Sequence, residues 1–163
     1  MKPWQTGLLG LFILTAPACA LAETAERPAL KVETLDGKTF DLASKRGEWV
    51  VINYWATWCA PCIAEMPELS AFITARKDVS GIGLAYEDTD RQEIIDFLEK
   101  RPVDYPIAQI DVDDPPADFA TPRGLPTTYL IAPDGTVAKQ FLGPIKDKDL
   151  EQAIAAAKSA SGG

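Results

Sequence analysis

Apolar and polar residues alternate along the chain in short blocks, and the spacing inside each block indicates a strand or a helix. Two short extended segments, residues 30–32 and 39–42, flank the turn pair Asp36-Gly37, so we expect a β-hairpin there. Residues 49–55 form an almost continuous apolar and β-branched run, which is typical of a strand that is buried on both faces. We therefore expect the centre of a sheet at residues 49–55.

A helical pattern follows this strand. Residues 61–76 carry apolar side chains at approximately helical spacing, with Pro67 inside the pattern. Because the pattern resumes after Pro67, we expect the proline to kink the helix rather than end it. Alternation over residues 79–85 predicts another strand, and residues 89–92 (Thr-Asp-Arg-Gln) resemble a capping box that begins a helix through Lys100. The first half of the chain therefore reads β-α-β-α after the hairpin.

The second half contains shorter elements. Residues 105–110 form a short extended segment before an acidic loop. Residues 127–131 and 137–142 read as two strands joined by a turn at Pro133-Asp134-Gly135. Residues 147–158 have the pattern of a final helix. The predicted order is thus a central βαβ unit followed by a β-hairpin and a helix.

The N-terminal segment has the composition of an export signal. A positively charged start precedes an almost wholly apolar stretch at residues 8–14 and a small-residue cleavage site at residues 20–22. We expect residues 1–22 to be a signal peptide and residues 23–163 to form one domain, since roughly 140 residues make one packed core and not two. An uncleaved anchor and a lipid on Cys19 remain alternatives. Each of the three puts the domain in the periplasm or another extracytoplasmic compartment.

Composition excludes several kinds of site. The 163 residues include 16 Lys and Arg, 24 Asp and Glu and no His, which gives a net charge of −8 without a basic run, so we expect no nucleic-acid binding. Without histidine a Cys-His or Ser-His catalytic pair cannot form. Haem attachment needs His after the second cysteine of the pair, where Ile63 stands. Zinc and copper sites usually recruit His or further Cys, so we expect no metal and no dissociable cofactor.

The stretch Cys59-Ala60-Pro61-Cys62 carries the candidate chemistry. It lies where the apolar run of residues 49–55 gives way to the helical pattern. Two thiols at this spacing can open and close as a disulfide, and the start of a helix stabilises a thiolate there. A static disulfide or a buried thiol pair is the structural alternative. Redox exchange is the leading hypothesis.

Four stretches of sequence support a family resemblance when they are combined with the element order. They are residues 53–62 (Asn-Tyr-Trp-Ala-Thr-Trp-Cys-Ala-Pro-Cys), 65–67 (Glu-Met-Pro), 124–128 (Gly-Leu-Pro-Thr-Thr) and 134–135 (Asp-Gly). With them the chain resembles the thioredoxin fold, and specifically the TlpA/ResA-like exported thiol-disulfide oxidoreductases. The resemblance covers residues 30–158. It implies an α/β fold with a central mixed β-sheet flanked by helices and with an N-terminal β-hairpin.

The resemblance also implies roles for individual residues. Cys59, exposed at the start of the helix, would attack a target disulfide, and Cys62, one turn further inward, would resolve the mixed disulfide. Pro126 matches the family's cis-proline, which lies opposite the cysteines, and a substrate would bind along Leu125, Pro126 and Thr127; an ordinary trans proline is the alternative. Trp58 is either a docking surface beside Cys59 or a cover for the core.

Glu65 follows Cys62 by three residues, so a helix places the two side chains on neighbouring faces. A carboxylate there could take the proton of the resolving thiol. Thioredoxins proper use an Asp on the preceding strand, whereas Asn53 stands at that position here, and TlpA/ResA-like proteins carry a Glu at the position of Glu65. The alternative is a solvated glutamate that only complements the helix dipole.

The direction of electron flow is inferred from the residues between the cysteines. Strong oxidants of this fold often place His there, whereas Ala60-Pro61 carries no charge, so the potential should lie nearer about −270 mV, as for thioredoxin, than about −120 mV, as for DsbA. We therefore expect a protein-disulfide reductase, with Cys59, Cys62 and Glu65 as its catalytic residues. It would act as a monomer on disulfide-containing exported proteins and would be reduced again by a membrane electron donor of the DsbD/CcdA kind.

Three other activities remain open at this point. An oxidase or isomerase would use the same two cysteines at a different potential. A peroxidase would use a lone peroxidatic cysteine in another local motif. A copper chaperone could hold Cu(I) between the thiolates of Cys59 and Cys62, although only Met66 offers further soft-ligand support in the exported part. The sequence does not select the client, but Thr127 stands where the cytochrome-maturation branch often carries Glu.

Overall fold

The computed structural model describes residues 23–161. The predicted signal peptide, residues 1–22, lies outside this range together with Cys19, so its cleavage, anchoring or lipidation stays a prediction. Within residues 23–161, no helix is long and apolar enough to cross a membrane.

The predicted N-terminal hairpin is present. Strand β1 (Lys31–Glu33) pairs antiparallel with β2 (Thr39–Asp41), and Gly37 adopts a φ of +77° in the turn, where glycine is favoured. The backbone N–H of Leu35 donates a hydrogen bond of 2.7 Å to the carbonyl of Ile107. The hairpin is therefore attached to an edge of the main sheet.

Five strands form the main sheet. They are β3 (Trp49–Trp55), β4 (Val79–Tyr86), β5 (Ile107–Ile110), β6 (Thr127–Ile131) and β7 (Val137–Leu142). Their order is β5-β4-β3-β6-β7, in which β4 is parallel to both β3 and β5, while β6 is antiparallel to both β3 and β7. All seven residues of β3 are buried. The expected mixed sheet of the thioredoxin-like fold, centred on residues 49–55, is confirmed.

Three α-helices flank the sheet: α1 (Ala60–Ala75), α2 (Arg91–Lys100) and α3 (Asp147–Ser161). Helix α1 runs through Pro67 without ending, as predicted. The capping box predicted at residues 89–92 is wrong. Asp90 occupies the N-cap position of α2, and the hydroxyl of Thr89 donates to Glu93, because the helix begins one residue later than the pattern suggested.

Alternate residues of β3 face two separate layers of the core. Trp49, Val51 and Trp55 pack in a cluster that contains residues of all three helices. Val50, Ile52 and Tyr54 pack on the opposite face with apolar residues of the N-terminal segment and of the 108–131 region. Asn53 is an even number of residues from Trp49, Val51 and Trp55, so its side chain points to the same face of the sheet, toward the helices.

Gly83 allows a close approach in the core beneath the cysteines. A Cβ on Gly83 would lie 2.5 Å from Cδ1 of Ile107, 3.0 Å from Nε1 of Trp55 and 3.1 Å from Cε2 of Tyr105. We expect Gly83→Ala to destabilise the protein by about 1–3 kcal/mol, because these side chains would have to shift in a packed interior. Urea unfolding measures this change. In the control variant Gly124→Ala the new Cβ would meet one atom at 3.6 Å, and equal unfolding midpoints for the two variants would contradict the expectation.

Candidate active site

The two cysteines lie at the junction of β3 and α1. Cys59 is the N-cap of α1 and forms a disulfide with Cys62, and its Sγ accepts a hydrogen bond of 3.3 Å from the backbone N–H of Cys62. Cys62 is 0% exposed, as expected for the inner residue. The expected exposure of Cys59 is wrong for the disulfide form, since only 4% of this residue is accessible. Its sulfur is turned inward by the bond to Cys62.

The surroundings of the two sulfur atoms differ. Cys59 is the N-cap of α1, where the backbone N–H of Cys62, which donates to its sulfur, and the helix dipole favour a thiolate. Both cysteines belong to the apolar cluster with Trp55 and Met66, but Cys62 is 0% exposed and its sulfur does not cap the helix, so a charged thiolate is disfavoured there. This asymmetry favours Cys59 as the attacking thiol and leaves Cys62 in need of a nearby group that takes its proton.

Glu65 is the buried acid nearest to Cys62 along α1. It is 4% exposed, so the alternative of a solvated glutamate is wrong. Oε1 accepts a hydrogen bond of 2.9 Å from Nδ2 of Asn53, and Oε2 accepts one of 2.8 Å from the backbone N–H of Ile145. Burial raises the pKa of the Glu65 carboxyl above its ordinary value, while these two hydrogen bonds act in the opposite direction.

Asn53 holds Glu65 in place. Its Nδ2 donates to Glu65 on α1 and also to Oγ1 of Thr128 on β6, both at 2.9 Å. Three elements are thus joined through one buried amide. The sequence indicated only that Asn53 cannot titrate, and the pairing with Glu65 could not be found without knowing that both side chains occupy the same face of the sheet.

Tyr105 belongs to the buried surroundings of Glu65. Tyr105 is 4% exposed and packs in the same cluster as Trp55 and Cys62. Burial raises the pKa of the Tyr105 hydroxyl, and the negative charge of Glu65 raises it further. Within the described part of the chain, the Tyr105 hydroxyl and Nε1 of Trp55 are buried without a hydrogen-bond partner. These surroundings explain why an ionised Glu65 is disfavoured.

The loop before β6 carries the predicted cis-proline. The Leu125-Pro126 peptide bond is cis, and the carbonyl of Pro126 accepts a hydrogen bond of 2.9 Å from Gly143 N–H. Leu125 is half-buried. Thr127 is 1% exposed, and its hydroxyl donates to the carbonyl of Gly124 at 2.7 Å. Of these predicted substrate-binding residues, Leu125 is the accessible one, whereas the Thr127 side chain holds the loop from inside.

Two large apolar side chains stand out on the surface of the described residues. Trp58 is 70% exposed and Leu142 is 67% exposed. The alternative in which Trp58 covers the core is therefore wrong. Leu142 ends β7 opposite Thr127, and its Cδ1 would lie 3.6 Å from a Cβ on Gly124. The sequence analysis missed Leu142, because its place beside the proline loop depends on the pairing of β6 with β7.

A second buried acid approaches the cysteines from β4. Glu87 follows the last residue of β4 and is 7% exposed. Its carboxylate accepts hydrogen bonds of 2.8 Å from both the backbone N–H and the hydroxyl of Thr57. Thr57 lies two residues before Cys59. This contact was also missed, since the residues are separated by 30 positions in the sequence.

Known proteins with similar sequences include thiol-disulfide oxidoreductases. Residues 24–140 match the AhpC/TSA family. The chain is 32% identical over 128 residues to the thiol-disulfide oxidoreductase ResA of Bacillus cereus. The aligned part covers 77% of this chain and 73% of ResA. It is 34% identical over 130 residues to the thiol:disulfide interchange protein DsbE of Yersinia pestis. This alignment covers 78% of this chain and 68% of DsbE.

A solved structure shows the same architecture. It is a secreted Mycobacterium tuberculosis disulfide oxidoreductase that is homologous to Escherichia coli DsbE. The two chains superpose with a TM-score of 0.66 at 26% identity, over 78% of this chain and 95% of the other. The sheet and helices that position the two cysteines are therefore shared with a disulfide oxidoreductase.

Proposed function

Because the chain belongs to the AhpC/TSA family and is a thiol-disulfide oxidoreductase of the ResA/DsbE type, we propose that it reduces disulfides of exported proteins by cycling between a Cys59-Cys62 dithiol and disulfide. One observation carries the proposal. The sulfur of Cys59 caps α1. Cys62 lies one helical turn before Glu65, a buried carboxyl whose pKa is raised. The site thus contains an attacking thiol, a resolving thiol and a proton acceptor.

The first step joins the protein to its target. The thiolate of Cys59 attacks one sulfur of the target disulfide and forms a new S–S bond with it, while the old S–S bond breaks. The second target sulfur leaves as a thiolate and takes up a proton. The product is a mixed disulfide between Cys59 and the target.

The second step releases the target. Cys62 gives its proton to the Glu65 carboxylate, and the Cys62 thiolate attacks Sγ of Cys59. The intramolecular disulfide forms, and the remaining target sulfur leaves as a thiolate that is then protonated. Two electrons have passed to the target. A membrane dithiol donor of the DsbD/CcdA kind would return the protein to the dithiol form without a dissociable cofactor, and one chain suffices for this cycle, so we expect a monomer.

The electrostatics of the site support the reducing direction. Ala60 and Pro61 provide no positive charge to the Cys59 thiolate, and the carboxylate of Glu87 contacts Thr57, two residues before Cys59. Nearby negative charge disfavours a thiolate, and a less stabilised dithiol form makes a stronger reductant.

Electron transfer in both directions tests the proposal. The reduced protein is mixed with one equivalent of a peptide that contains a single disulfide, and the oxidised protein is mixed with the same peptide as a dithiol. Alkylation of free thiols and mass analysis then give the redox state of both partners. We expect the first reaction to approach completion and the second to stall. Rapid oxidation of the dithiol peptide by the protein would identify an oxidase instead.

Export of the domain is part of the same proposal. Its support is the composition of residues 1–22 and the similarity to a secreted oxidoreductase. The mass of the protein recovered from the extracytoplasmic fraction of the producing bacterium tests it. A chain that begins at Glu23 is expected, while a full-length chain confined to the cytoplasm would contradict export.

Two exposed apolar side chains, Trp58 next to Cys59 and Leu142 beside the proline loop, provide a docking surface for the target. We expect Trp58→Ala to lower kcat/KM for a peptide disulfide about tenfold, mainly through KM, because a large aromatic contact is lost. Leu142→Ala should lower it less. Since Trp58 is 70% exposed, the free energy of unfolding should change by no more than about 0.5 kcal/mol.

Alkylation of Cys59 by iodoacetamide serves as the control for docking. This small reagent needs no docking surface, so its rate constant should stay within about twofold of wild type in both variants, which is a change of less than about 0.5 kcal/mol. A similar loss of rate with iodoacetamide and with the peptide would show that Trp58 affects the thiol itself.

A further inference from the structure

Glu87 uses both of its carboxylate oxygens on one residue of the cysteine loop. Oε1 accepts from the backbone N–H of Thr57 and Oε2 accepts from its hydroxyl, each at 2.8 Å. The residue is 7% exposed, so the contact is shielded from water. A buried carboxylate is costly unless it is fully hydrogen-bonded, and this one is satisfied by Thr57.

The register of the parallel strands explains this pairing. Trp55 on β3 lies opposite Ala85 on β4. Thr57 and Glu87 each lie two residues further along, just beyond the ends of their strands. Residues that follow adjacent parallel strands meet at the same edge of the sheet. The contact is therefore built into the topology that also places the cysteine pair.

The segment held by Glu87 carries the exposed tryptophan and the attacking cysteine. It is a tight turn, because the N–H of Cys59 donates to the carbonyl of Ala56 at 3.2 Å. Ala56 is 0% exposed and Trp58 is 70% exposed, so the chain leaves the core within two residues. In the described structure, Thr57 is the point at which this turn is tied to β4.

We propose that Glu87 is a positioning residue of the redox site, which through Thr57 fixes the turn that presents Trp58 and Cys59 and places a carboxylate beside the segment that carries the attacking sulfur. The inference deepens the proposed function, on which it rests, and concerns the same site. The fixed turn keeps the docking side chain and the nucleophile in one geometry. The negative charge of Glu87 opposes the stabilisation of the Cys59 thiolate by the start of α1. The Cys59 thiol therefore stays more basic, and its thiolate is more nucleophilic.

Other charged groups face Glu87 across a cavity of about 500 Å³. They are Glu33, Asp88, Arg91, Asp111 and Asp113. Arg91 donates to the carbonyls of Thr34 and Leu35 at 3.0 and 3.1 Å, which directs its guanidinium toward the hairpin. The remaining four groups are acids, of which Glu33 pairs with Arg91 at 3.8 Å, so this region is predominantly negative.

Two substitutions separate the hydrogen bonds from the charge. Glu87→Gln removes the charge, but its amide can still accept from the Thr57 N–H and donate to the Thr57 hydroxyl. Thr57→Val retains the charge and removes the hydroxyl contact. Asp88→Asn is the matched control, because it removes one negative charge from the exposed neighbour of Glu87.

The first readout is the pH profile of Cys59 alkylation in the reduced full-length mature protein, followed by mass analysis of the Cys59 peptide. We expect Glu87→Gln to lower the pKa of the Cys59 thiol by about half a unit, because a nearby negative charge is removed, and Asp88→Asn to lower it by less than half as much. A profile for Glu87→Gln that superimposes on wild type, or on Asp88→Asn, would overturn the role of the charge.

The second readout is the rate of attack on a peptide disulfide. We expect Thr57→Val to slow this attack about fivefold, since the turn loosens, and to shift the alkylation profile less than Glu87→Gln does, since the backbone N–H of residue 57 still donates to Oε1 of Glu87. An unchanged rate of attack by Thr57→Val would overturn the positioning role of Glu87. Thr57→Val also tests the proposal if Glu87→Gln does not fold. The alkylation profile is measured without a target, so it tests the role of Glu87 even if the protein proves to be an oxidase. Normal peptide reduction together with unchanged alkylation profiles would reject the role of Glu87 and leave the proposed function intact.

Discussion

Cys62→Ser protein is expected to accumulate as a stable mixed disulfide with its target through Cys59, and to lose steady-state disulfide reduction by a factor of at least about a thousand. Serine cannot attack Sγ of Cys59, so the reaction stops after its first step. Cys62 is 0% exposed and serine is slightly smaller, so the fold should be retained. Non-reducing electrophoresis and mass analysis of the adducts give both the attachment site and the identity of the target.

The matched control is Cys59→Ser, in which the inner thiol alone remains. Because Cys62 is 0% exposed and lies one turn further along α1 than the N-cap, this variant should form few adducts. Equal capture by the two variants, or capture on Cys62 rather than Cys59, would reverse the assigned roles of the cysteines. Targets captured by Cys62→Ser and absent with Cys59→Ser are the clients of the protein.

Glu65→Gln is expected to slow release of the target from the mixed disulfide by about a hundredfold at neutral pH, which is the usual worth of a positioned proton acceptor. In wild type the carboxylate forms as pH rises through the raised pKa of Glu65, and only this form can accept the proton of Cys62. The release rate should therefore increase with pH across that range. The variant should lack this increase and should respond only to direct ionisation of the Cys62 thiol at higher pH.

The surroundings of Glu65 can accommodate glutamine. Oδ1 of Asn53 is buried without a hydrogen-bond partner in the described part of the chain. If the Asn53 amide turns over, Oδ1 can accept from glutamine Nε2 and from the hydroxyl of Thr128, while glutamine Oε1 accepts from Ile145 N–H. The variant should therefore fold, and a kinetic effect can be assigned to the lost carboxylate.

Stopped-flow measurement of mixed-disulfide decay as a function of pH tests the role of Glu65. Glu68→Gln is the matched control, because Glu68 lies on the same helix, is partly exposed and accepts a 3.3 Å hydrogen bond from Asp147 N–H. The control should follow the wild-type profile. Superimposable profiles for wild type and Glu65→Gln would exclude the proton transfer that we propose.

The sequence predicted those elements whose apolar pattern is strong. The bounds of β3, β6 and β7 agree with the predicted ranges to the residue. The buried strands β3 and β6 need continuous apolar or β-branched runs, and the turn at Pro133-Asp134-Gly135 separates β6 from the more exposed β7. The hairpin strands and the start of α2 differ by one or two residues, since several polar residues there can cap or pair equally well.

The candidate site was predictable only in part. Local sequence was enough to identify Cys59, Cys62 and the acid at Glu65, whereas the exposure of Cys59 and Trp58 depends on how the turn between β3 and α1 closes. The contact of Asn53 with Glu65 depends on which face of β3 meets α1. Such pairings follow from strand register and helix packing, which a single sequence does not specify.

The reduction potential of the Cys59-Cys62 pair tests the central claim most directly. The protein is equilibrated in dithiothreitol or glutathione buffers of graded potential, free thiols are alkylated, and the oxidised fraction is counted by mass. We predict a single two-electron transition near the thioredoxin value of about −270 mV, which is absent in Cys62→Ser. A midpoint near the DsbA value of about −120 mV would contradict a reductase, and a pair that stays oxidised throughout would be a static disulfide and would contradict redox cycling.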